Sequence, residues 1–384
     1  MRHHNSVLHG LLKYLPWSDF DRLVDEYGSD GRVRRLSSKS QLVALLYGQL
    51  SGAVSLREIE AATASHSARL YHLGAKAVSR STLADANARR PHEVFSGLFS
   101  RMAGMAGRGF KRSTAEAVRL IDSTSVRLSA LSGPWSRCYS GVHGAKAHVI
   151  FDPDAEAPLY LAVTPSRVHD IVPAKAMPIE PGATYVFDLG YYDFAWWAGL
   201  DQAGCRLVTR LKANSPLAEV RRLPLPQGSD LLYDKIGFLS ERLKTTRRNP
   251  FPDPVREIGV LTETGKPLRI LTNDLDAPAK EIADLYKRRW AVELFFRWVK
   301  QTLKIKHFIG CSENAVRIQI AVALIAYLLL RLAKNAVALT DSPLTFARLV
   351  RANLMHRRNL DQLLKPPPTD KIDIRQLQLN LDPA

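Results

Sequence analysis

The spacing of apolar and polar residues changes once along the chain, near residue 117. Before that point apolar residues recur at helical intervals. One short apolar face is made by Leu8, Leu11, Leu12 and Leu15. The segments 40–50 and 56–68 repeat this spacing behind Ser or Asp residues that suit helix N-caps, and 79–90 predicts a further helix with a polar, basic side. Residues 1 to about 110 are therefore predicted to be helical.

After residue 117 the period becomes two, which is typical of strands. Five strands are predicted, at 117–128, 145–151, 158–164, 183–188 and 206–210. Asp152-Pro153-Asp154 forms the turn between the second and third strands. Short helices are predicted at 169–177 and 193–203. The predicted order is strand, strand, strand, helix, strand, helix, strand.

Residues 212–276 interrupt this pattern with six prolines between 216 and 254, followed by an apparent hairpin that turns at 263–266. They predict a β-rich insertion. Farther on, 314–339 predicts a largely apolar helix for the core or a subunit interface. Its uncharged run, 318–330, is too short to cross a bilayer and predicts no membrane span. The end of the chain, with three consecutive prolines at 366–368, is predicted to be loosely ordered.

A polar stripe follows the insertion. On one helix, Tyr286, Arg289, Glu293 and Lys300 would fall within an arc of roughly 60°. A carboxylate placed among Arg, Lys and Tyr suits a metal ligand beside groups that bind phosphate. The alternative is that Arg289 and Glu293 form an ordinary i,i+4 surface pair worth a few tenths of a kcal/mol.

The composition of the chain indicates a polyanionic partner. The chain has 54 Lys and Arg against 37 Asp and Glu, a net charge of +17 and a pI near 9.9. Nucleic acid is the commonest such partner, although a ribosome-associated or membrane-surface protein would carry similar charge. The basic residues form short clusters, at 32–35, 108–112, 244–248 and 287–289. Any one of these clusters is equally well explained as solvated surface.

The three cysteines, Cys138, Cys205 and Cys311, are odd in number and widely spaced. This spacing predicts neither a disulfide framework nor a zinc site, and it fits a reducing compartment. The first residues lack a secretory apolar segment. The protein is therefore predicted to be cytoplasmic and soluble, with no membrane partner.

The spacing Y-x2-R-x3-E-x6-K at 286–300 resembles the signature of one large branch of bacterial insertion-sequence transposases, the insertion-sequence-four family. The resemblance implies an α/β fold, with a ribonuclease-H-like catalytic core, a β-rich insertion and a helical N-terminal DNA-binding domain. The implied divisions are 1–112 for the DNA-binding domain, 113–211 with 277–340 for the core, 212–276 for the insertion and 341–384 for a C-terminal helical tail.

The resemblance also implies the catalytic residues and metal ligands, which are Asp122, Asp188 and Glu293. The first lies in Ile-Asp-Ser-Thr, the second in Phe-Asp-Leu-Gly-Tyr and the third in the four-residue signature. In the implied fold the two aspartates lie side by side on neighbouring strands. Hard divalent ions prefer carboxylate oxygens, and two such ions can activate the attacking oxygen and stabilise the leaving oxygen. Two Mg²⁺ ions are expected, with Mn²⁺ as a substitute.

Tyr286, Arg289 and Lys300 are implied to position DNA, and Arg210 and Lys212 are predicted to add DNA contacts after the fifth strand. The helix at 79–90 is predicted to read DNA at the element's ends. Three histidines are assigned structural roles because a two-metal mechanism needs no protein base: His143, His148 and His169.

The sequence departs from the family pattern at two places. Leu189 follows the second aspartate where the family often has Arg, which removes a possible phosphate contact. The insertion has no Trp to stack a flipped base, so Tyr233 or Phe238 would have to supply that aromatic face if a hairpin intermediate forms.

The predicted function is a DNA transposase that binds its terminal inverted repeats, cleaves the strand ends and joins their 3′-hydroxyls to target DNA. Both ends must be held together, which implies a homodimer in the synaptic complex on double-stranded DNA. Two alternatives stay open: a structure-specific nuclease of the same fold, and a catalytically inactive DNA-binding repressor or architectural factor.

Overall fold

The computed structural model describes residues 5–31, 33–107, 117–225, 230–241, 248–262, 264–303, 308–337 and 341–363. The predicted basic cluster at 108–112, most of that at 244–248 and the prolines at 366–368 lie outside these residues.

The first part of the chain is helical, as predicted. Seven helices form it: α1 (Val7–Leu12), α2 (Trp17–Glu26), α3 (Ser38–Ser51), α4 (Leu56–Ser65), α5 (Ser67–Leu70), α6 (Arg80–Arg89) and α7 (Glu93–Gly107). Ser37, Ser55 and Ser79 are the N-caps of α3, α4 and α6. The side-chain oxygen of each accepts a hydrogen bond from the backbone N–H three residues farther on. The predicted N-caps therefore set the helix starts.

The five predicted strands form one half of a nine-stranded sheet. They are β1 (Val118–Arg127), β2 (Gly144–Asp152), β3 (Ala157–Pro165), β4 (Thr184–Val186) and β5 (Arg206–Arg210). β1 pairs antiparallel with β2 and parallel with β4, and β4 pairs parallel with β5. The intervening helices are α8 (Ile171–Ala174) and α9 (Phe194–Gln202). α8 is shorter than the predicted 169–177, since Pro178 disfavours helical backbone at the residue before it.

The insertion continues this sheet. Its strands are β6 (Leu217–Arg222), β7 (Leu231–Leu239), β8 (Val255–Leu261) and β9 (Pro267–Thr272). β9 pairs antiparallel with β5, which gives the strand order β3-β2-β1-β4-β5-β9-β8-β7-β6. The predicted hairpin is confirmed as β8 and β9. The insertion therefore shares a backbone hydrogen-bond network with the strands that precede it.

Four helices complete the described chain: α10 (Ala279–Arg288), α11 (Trp290–Thr302), α12 (Glu313–Ala336) and α13 (Pro343–Asn353). Among the described helices, α12 is long and apolar enough to cross a membrane, but 83% of that apolar stretch is buried inside the fold. Helices of the N-terminal region, including α3, α6 and α7, pack on it. One continuous hydrophobic cluster joins α1–α7 to β1–β3 and α10–α13, so the described N-terminal helices share a core with the sheet.

The two faces of the sheet have separate cores. Side chains alternate along β1, so that Leu120 belongs to the cluster under α11 and α12, whereas Ile121 belongs to the cluster under α9. By the same alternation Asp122 lies on the α11 face and Ser123 on the opposite face.

Candidate active site

Two aspartates lie side by side on neighbouring strands. In the parallel pair of β1 and β4, Leu120 is opposite Val186. Asp122 comes two residues farther along β1, and Asp188 comes two residues after Val186, just beyond the end of β4. Their carboxylates are close enough for each to affect the other electrostatically. This is the adjacency that the fold predicted.

Asp122 is the most perturbed carboxyl group of the pair. Its side chain is 16% exposed, and burial is the main cause that raises its pKa from 3.8 to about 7. The negative charges of Asp188 and Glu293 raise it further, while the Ser123 backbone N–H, which donates to Oδ1 at 2.7 Å, and Arg289 oppose the shift. Burial and the two neighbouring carboxylates therefore disfavour the ionised form of Asp122 unless a cation lies beside it.

Asp188 is held by the turn that follows it. Its Oδ1 accepts a hydrogen bond of 2.8 Å from the backbone N–H of Gly190, at the start of a short 3₁₀ turn over residues 189–191. This contact fixes the carboxylate at the carboxyl end of β4 and leaves its other oxygen for a ligand. Leu189, where the family often has Arg, is half-buried in this turn.

Glu293 reaches the strand carboxylates through Arg289. The arginine Nη2 lies 2.5 Å from Glu293 Oε1, and its Nη1 lies 3.6 Å from Asp122 Oδ2. The Arg289 side chain is 16% exposed. It therefore bridges a helix carboxylate and a strand carboxylate, which is more than an ordinary i,i+4 surface pair.

The prediction of one helix across 286–300 is wrong, because α10 ends and α11 begins at Arg289. On both sides of this residue the backbone makes tight i→i−3 hydrogen bonds, from Arg289 to Tyr286 and from Val292 to Arg289. Tyr286 is consequently mostly buried, at 8% exposure, with its ring centre 5.8 Å from the Arg289 guanidinium. Neither Gly nor Pro occurs at this break, so nothing in the local sequence predicts it.

A cleft of about 380 Å³ opens beside the carboxylates. Its walls are Asp122, Ser123, Thr124, Glu293, Phe296, Arg297, Lys300 and Gln301. Lys300 is therefore in the cleft, as predicted. Arg297 and Gln301 are new to the site, and their spacing of four and eight residues from Glu293 is the sequence signal that could have found them.

The two basic residues predicted after β5 lie at the same edge of the sheet as Asp188. The Lys212 ammonium lies 4.2 Å from the centre of the Tyr192 ring, just beyond the Asp188 turn. Arg210 is near enough to Tyr286 to lower the pKa of its hydroxyl, although burial is the larger effect and raises that pKa. Both cations thus border the carboxylates without pairing with them among the described residues.

The donor set fits a hard divalent cation, because two adjacent, partly buried carboxylates with excess negative charge are the ligands such ions prefer. Within the described ranges no three His, Cys, Asp or Glu side chains are close enough together to hold a metal ion. Arg289 lies against Glu293 and limits its reach toward the aspartates.

The other predicted residues have internal partners or exposed positions. His148 is fully buried, its Nε2 lies 2.8 Å from Thr164 Oγ1, and burial lowers its pKa to about 4. The Tyr233 hydroxyl donates to Glu257 at 2.7 Å, while Phe238 is 41% exposed. Of the two aromatic residues proposed for base stacking, Phe238 is the accessible one.

Helix α6, predicted to read DNA, turns two of its polar side chains inward. Asn87 is 3% exposed and accepts a hydrogen bond from Gln41. Arg90, at the end of the helix, is 8% exposed and donates to Gln41 and to the carbonyl of Leu36. These side chains stabilise the helical region, which leaves Arg80 and Arg89 as the exposed cations of this segment.

Comparison with known families gives two matches along the chain. Residues 113–329 match the transposase DDE domain, which covers more than half of the chain. Residues 3–76 match a domain of unknown function, DUF4372.

Similar proteins carry the same description. The chain is 41% identical over 290 residues to a putative transposase, y4zB, of Sinorhizobium fredii, which covers 75% of this chain and 81% of that protein. It is 29% identical over 246 residues to a probable transposase for insertion sequence element IS5377 of Geobacillus stearothermophilus, covering 63% of each. It is 27% identical over 158 residues to transposase InsG for insertion sequence element IS4 of Escherichia coli, covering 36% of each.

Among solved structures, a cryo-EM structure of the piggyBac transposase synaptic complex with hairpin DNA is similar, with a TM-score of 0.48 and 11% identity over 100% of this chain and 86% of that one. The family match spans the strands that bear both aspartates and the helix that bears Glu293. The chain therefore belongs to the DDE transposases, and its strand order β3-β2-β1-β4-β5 is that of a ribonuclease-H-like core.

Proposed function

We propose that this transposase binds the terminal inverted repeats of its insertion sequence, cleaves the strand ends by metal-assisted hydrolysis and transfers the 3′-hydroxyl ends to target DNA. The observation that carries this proposal is the closeness of Asp122, on β1, to Asp188, just beyond the end of the adjacent parallel strand β4, with Glu293 in the same cleft as Asp122. Arg289 pairs with Glu293 and lies 3.6 Å from Asp122, and the charged form of the buried Asp122 is unfavourable without a further cation.

In this proposal Asp122, Asp188 and Glu293 hold two Mg²⁺ ions, for which Mn²⁺ substitutes. Ions held there would supply a more acidic attacking water and a positive charge beside the leaving oxygen. Arg289 exchanges Glu293 for a phosphate of the DNA, since its planar guanidinium binds both groups in the same way. Lys300 and Arg297, in the cleft wall, contact the same DNA strand. The Tyr286 ring lies against the Arg289 guanidinium and helps to hold it in place.

Arg210 and Lys212 are proposed to hold the DNA backbone as it leaves the cleft. They follow β5, whose end lies beside the end of β4 and hence beside Asp188. The Tyr192 ring under the Lys212 ammonium restricts that side chain. Phe238 is the proposed stacking surface if a hairpin intermediate forms, since a flipped base requires an exposed aromatic face.

Recognition of the ends is proposed for the helical region, where a basic groove of about 440 Å³ offers a better surface than α6. It is lined by Asp30, Val33, Arg34, Arg35, Ser37, Ser40, Tyr71, Gly74, Ala75 and Lys76. The buried Arg90 donates to the Leu36 carbonyl and so fixes the segment that bears Arg34 and Arg35. Tyr71 is 81% exposed at the groove and can pack against a sugar or a base.

Two double variants of equal charge separate these surfaces. Arg34→Ala with Arg35→Ala should lower the salt dependence of end binding by up to about two units, since two phosphate contacts are lost. Arg80→Ala with Arg89→Ala removes the same charge from α6 and should lower it less. The reverse order would assign end recognition to α6.

Because both ends must be brought together, we propose a homodimer in the synaptic complex and a cytoplasmic location where the DNA is accessible. The cleavage proposal is tested with a duplex bearing the terminal inverted repeat. Wild type, Asp188→Ala and Glu293→Ala are compared for Mg²⁺-dependent nicking, for strand transfer and, by gel shift, for end binding. Cleavage should vanish in both variants while binding persists.

Glu313→Ala is the matched control, because Glu313 forms an i,i+4 pair with Arg317 at 2.6 Å that resembles the pair of Glu293 with Arg289. It should cleave like wild type. Cleavage by Asp188→Ala or Glu293→Ala at the wild-type rate would remove that residue from the active site. Nicking without strand transfer would favour a nuclease, and end binding without nicking by wild type would favour a repressor.

A further inference from the structure

Behind the carboxylates, on the opposite face of the sheet, a second polar cluster surrounds Asp170. Its Oδ1 accepts hydrogen bonds from Ser123 Oγ at 3.0 Å and from Lys146 Nζ at 2.9 Å. His148, which is directly opposite Ser123 in the β1–β2 pair, places Nδ1 3.7 Å from the same oxygen. The Asp170 side chain is 23% exposed, and that of His148 is fully buried.

Asp170 contacts the strand of the first catalytic aspartate. Ser123 is the residue after Asp122 and points to the other face of the sheet, so a hydrogen bond to its hydroxyl restrains the backbone that carries Asp122. Lys146 also donates to the carbonyl of Val168 at 3.0 Å, which fixes the loop that presents Asp170. Asp170, whose loop is fixed by Lys146, therefore restrains the backbone of β1 through Ser123.

Asp170 also lies against the turn of the second catalytic aspartate. A Cβ atom placed on Gly190 would be 3.2 Å from Asp170 Oδ2 and 3.0 Å from Asp188 Oδ1. A side chain at position 190 would therefore force at least one of the two carboxylates to shift by a few tenths of an ångström. The next residue, Tyr191, is 1% exposed, and its hydroxyl is near enough to Ser123 and Asp170 for both to affect its pKa, which burial raises well above the ordinary value. Asp170 is thus in contact with the supports of both catalytic strands.

The charge of the cluster is balanced, unlike that of the catalytic face. Lys146 compensates Asp170, and burial lowers the pKa of His148 to about 4, which keeps the imidazole neutral near pH 7. A balanced ion pair with no open coordination is a poor metal site and a good support. Residues that orient metal ligands commonly have this form.

We propose that Asp170 is a positioning residue that sets the spacing of Asp122 and Asp188 by holding Ser123 on one strand and limiting the Gly190 turn on the other. This inference rests on the proposed metal role of the two aspartates. It adds a residue that touches neither DNA nor metal and acts through the backbone beneath the ligands.

The test measures Mn²⁺ affinity by calorimetry for the full chain bound to an inverted-repeat duplex. Asp170→Ala should weaken Mn²⁺ binding about 10- to 100-fold, as loss of such supports does, with DNA affinity unchanged. Asp170→Asn keeps an acceptor for Ser123 and should be intermediate. Ser123→Ala, which removes only the link to β1, should weaken binding several-fold and decides the question if Asp170→Ala does not fold.

Asp193→Ala is the matched control. Asp193 pairs with Lys175 at 2.6 Å and caps α9, so its loss should lower thermal stability and leave Mn²⁺ affinity unchanged. Wild-type Mn²⁺ affinity in both Asp170→Ala and Ser123→Ala would overturn the positioning role. If wild type bound Mn²⁺ no better than Asp122→Ala, the proposed metal site would fail, and the positioning role with it.

Discussion

Two groups of charged residues lie in the same sheet and behave oppositely. In the insertion, two buried acids are surrounded by three cations: Asp234 and Glu257 by Arg256, Arg269 and Lys235. Hydrogen bonds from Arg269 and Tyr233 lower the pKa of Glu257 although burial raises it. At the catalytic face, Asp122 and Glu293 share Arg289, Asp188 lies near Asp122, and burial raises the pKa of Asp122 to about 7.

This difference distinguishes a structural ion network from a ligand-binding site. Each acid of the insertion has found its partners within the fold. Arg256 binds Asp234 through two nitrogens, at 2.7 and 2.8 Å, with both side chains almost fully buried. The catalytic acids keep a negative excess that the fold leaves for a ligand, which is why perturbed carboxyl groups in a cleft indicate function.

The largest change in stability is expected when the ion network of the insertion is disrupted. Glu257→Ala leaves Arg269 and Lys235 without their buried carboxylate and should lower the free energy of unfolding by about 3–5 kcal/mol. Glu293→Ala should lower it by clearly less, because Arg289 keeps Asp122 as a neighbour at 3.6 Å and Asp122 loses a repelling charge. Urea unfolding in metal-free buffer measures both. Equal losses in the two variants would mean that both groups are structural.

The second prediction concerns pH. Between the ordinary pKa of Asp122, 3.8, and its value in the fold, about 7, the folded chain binds more protons than the unfolded chain, so stability falls as pH rises through this window. Asp122→Asn lacks that charge and should be more stable than wild type at pH 8 by up to about 4 kcal/mol, and by little near pH 4. Metal-free unfolding curves at pH 4, 6 and 8 give the difference.

His148 does not obscure this result. Its lowered pKa makes the fold lose stability as pH falls from 6.5 to about 4, but it does so equally in wild type and in Asp122→Asn. Parallel pH profiles of the two proteins would show that Asp122 ionises normally, and the catalytic face would then resemble the insertion.

The smallest effect is expected for Arg289, the arginine that contacts both Asp122 and Glu293. Arg289→Ala should weaken assembly on the transposon end and reduce its salt slope by about one unit, because one phosphate contact is lost. Arg317→Ala removes the same charge from the matched pair on α12 and should leave the slope unchanged. A salt titration of end binding compares them. Identical slopes would return Arg289 to an ordinary surface pair, and Lys300→Ala provides the same test for the cleft wall.

Much of the fold was predictable, because local patterns specify it. The period of two placed β1 to β5, and serine caps placed α3, α4 and α6. The continuation of the sheet through β9 was not predictable, since pairing with β5 depends on contacts about sixty residues apart in sequence. The division at Arg289 was missed because its i→i−3 bonds arise in a segment without helix-breaking residues.

The candidate site divides in the same way. Motifs pointed to Asp122, Asp188 and Glu293, whereas Asp170 belongs to no motif and lies in a loop before a four-residue helix. Its contacts with Ser123 and Lys146 depend on the pairing of three strands. Similarly, the polar and basic side of α6 suggested DNA reading, but the burial of Asn87 and Arg90 follows from packing against α3 and α12.

The most direct measurement counts the metal ions held by the catalytic carboxylates. Wild type, Asp188→Asn and Glu313→Gln, each bound to an inverted-repeat duplex, are titrated with Mn²⁺ by calorimetry at pH 8. We predict two ions for wild type and for Glu313→Gln, and the loss of at least one ion in Asp188→Asn. The same number and affinity of ions in all three proteins would contradict the claim that this face of the sheet holds the catalytic metal.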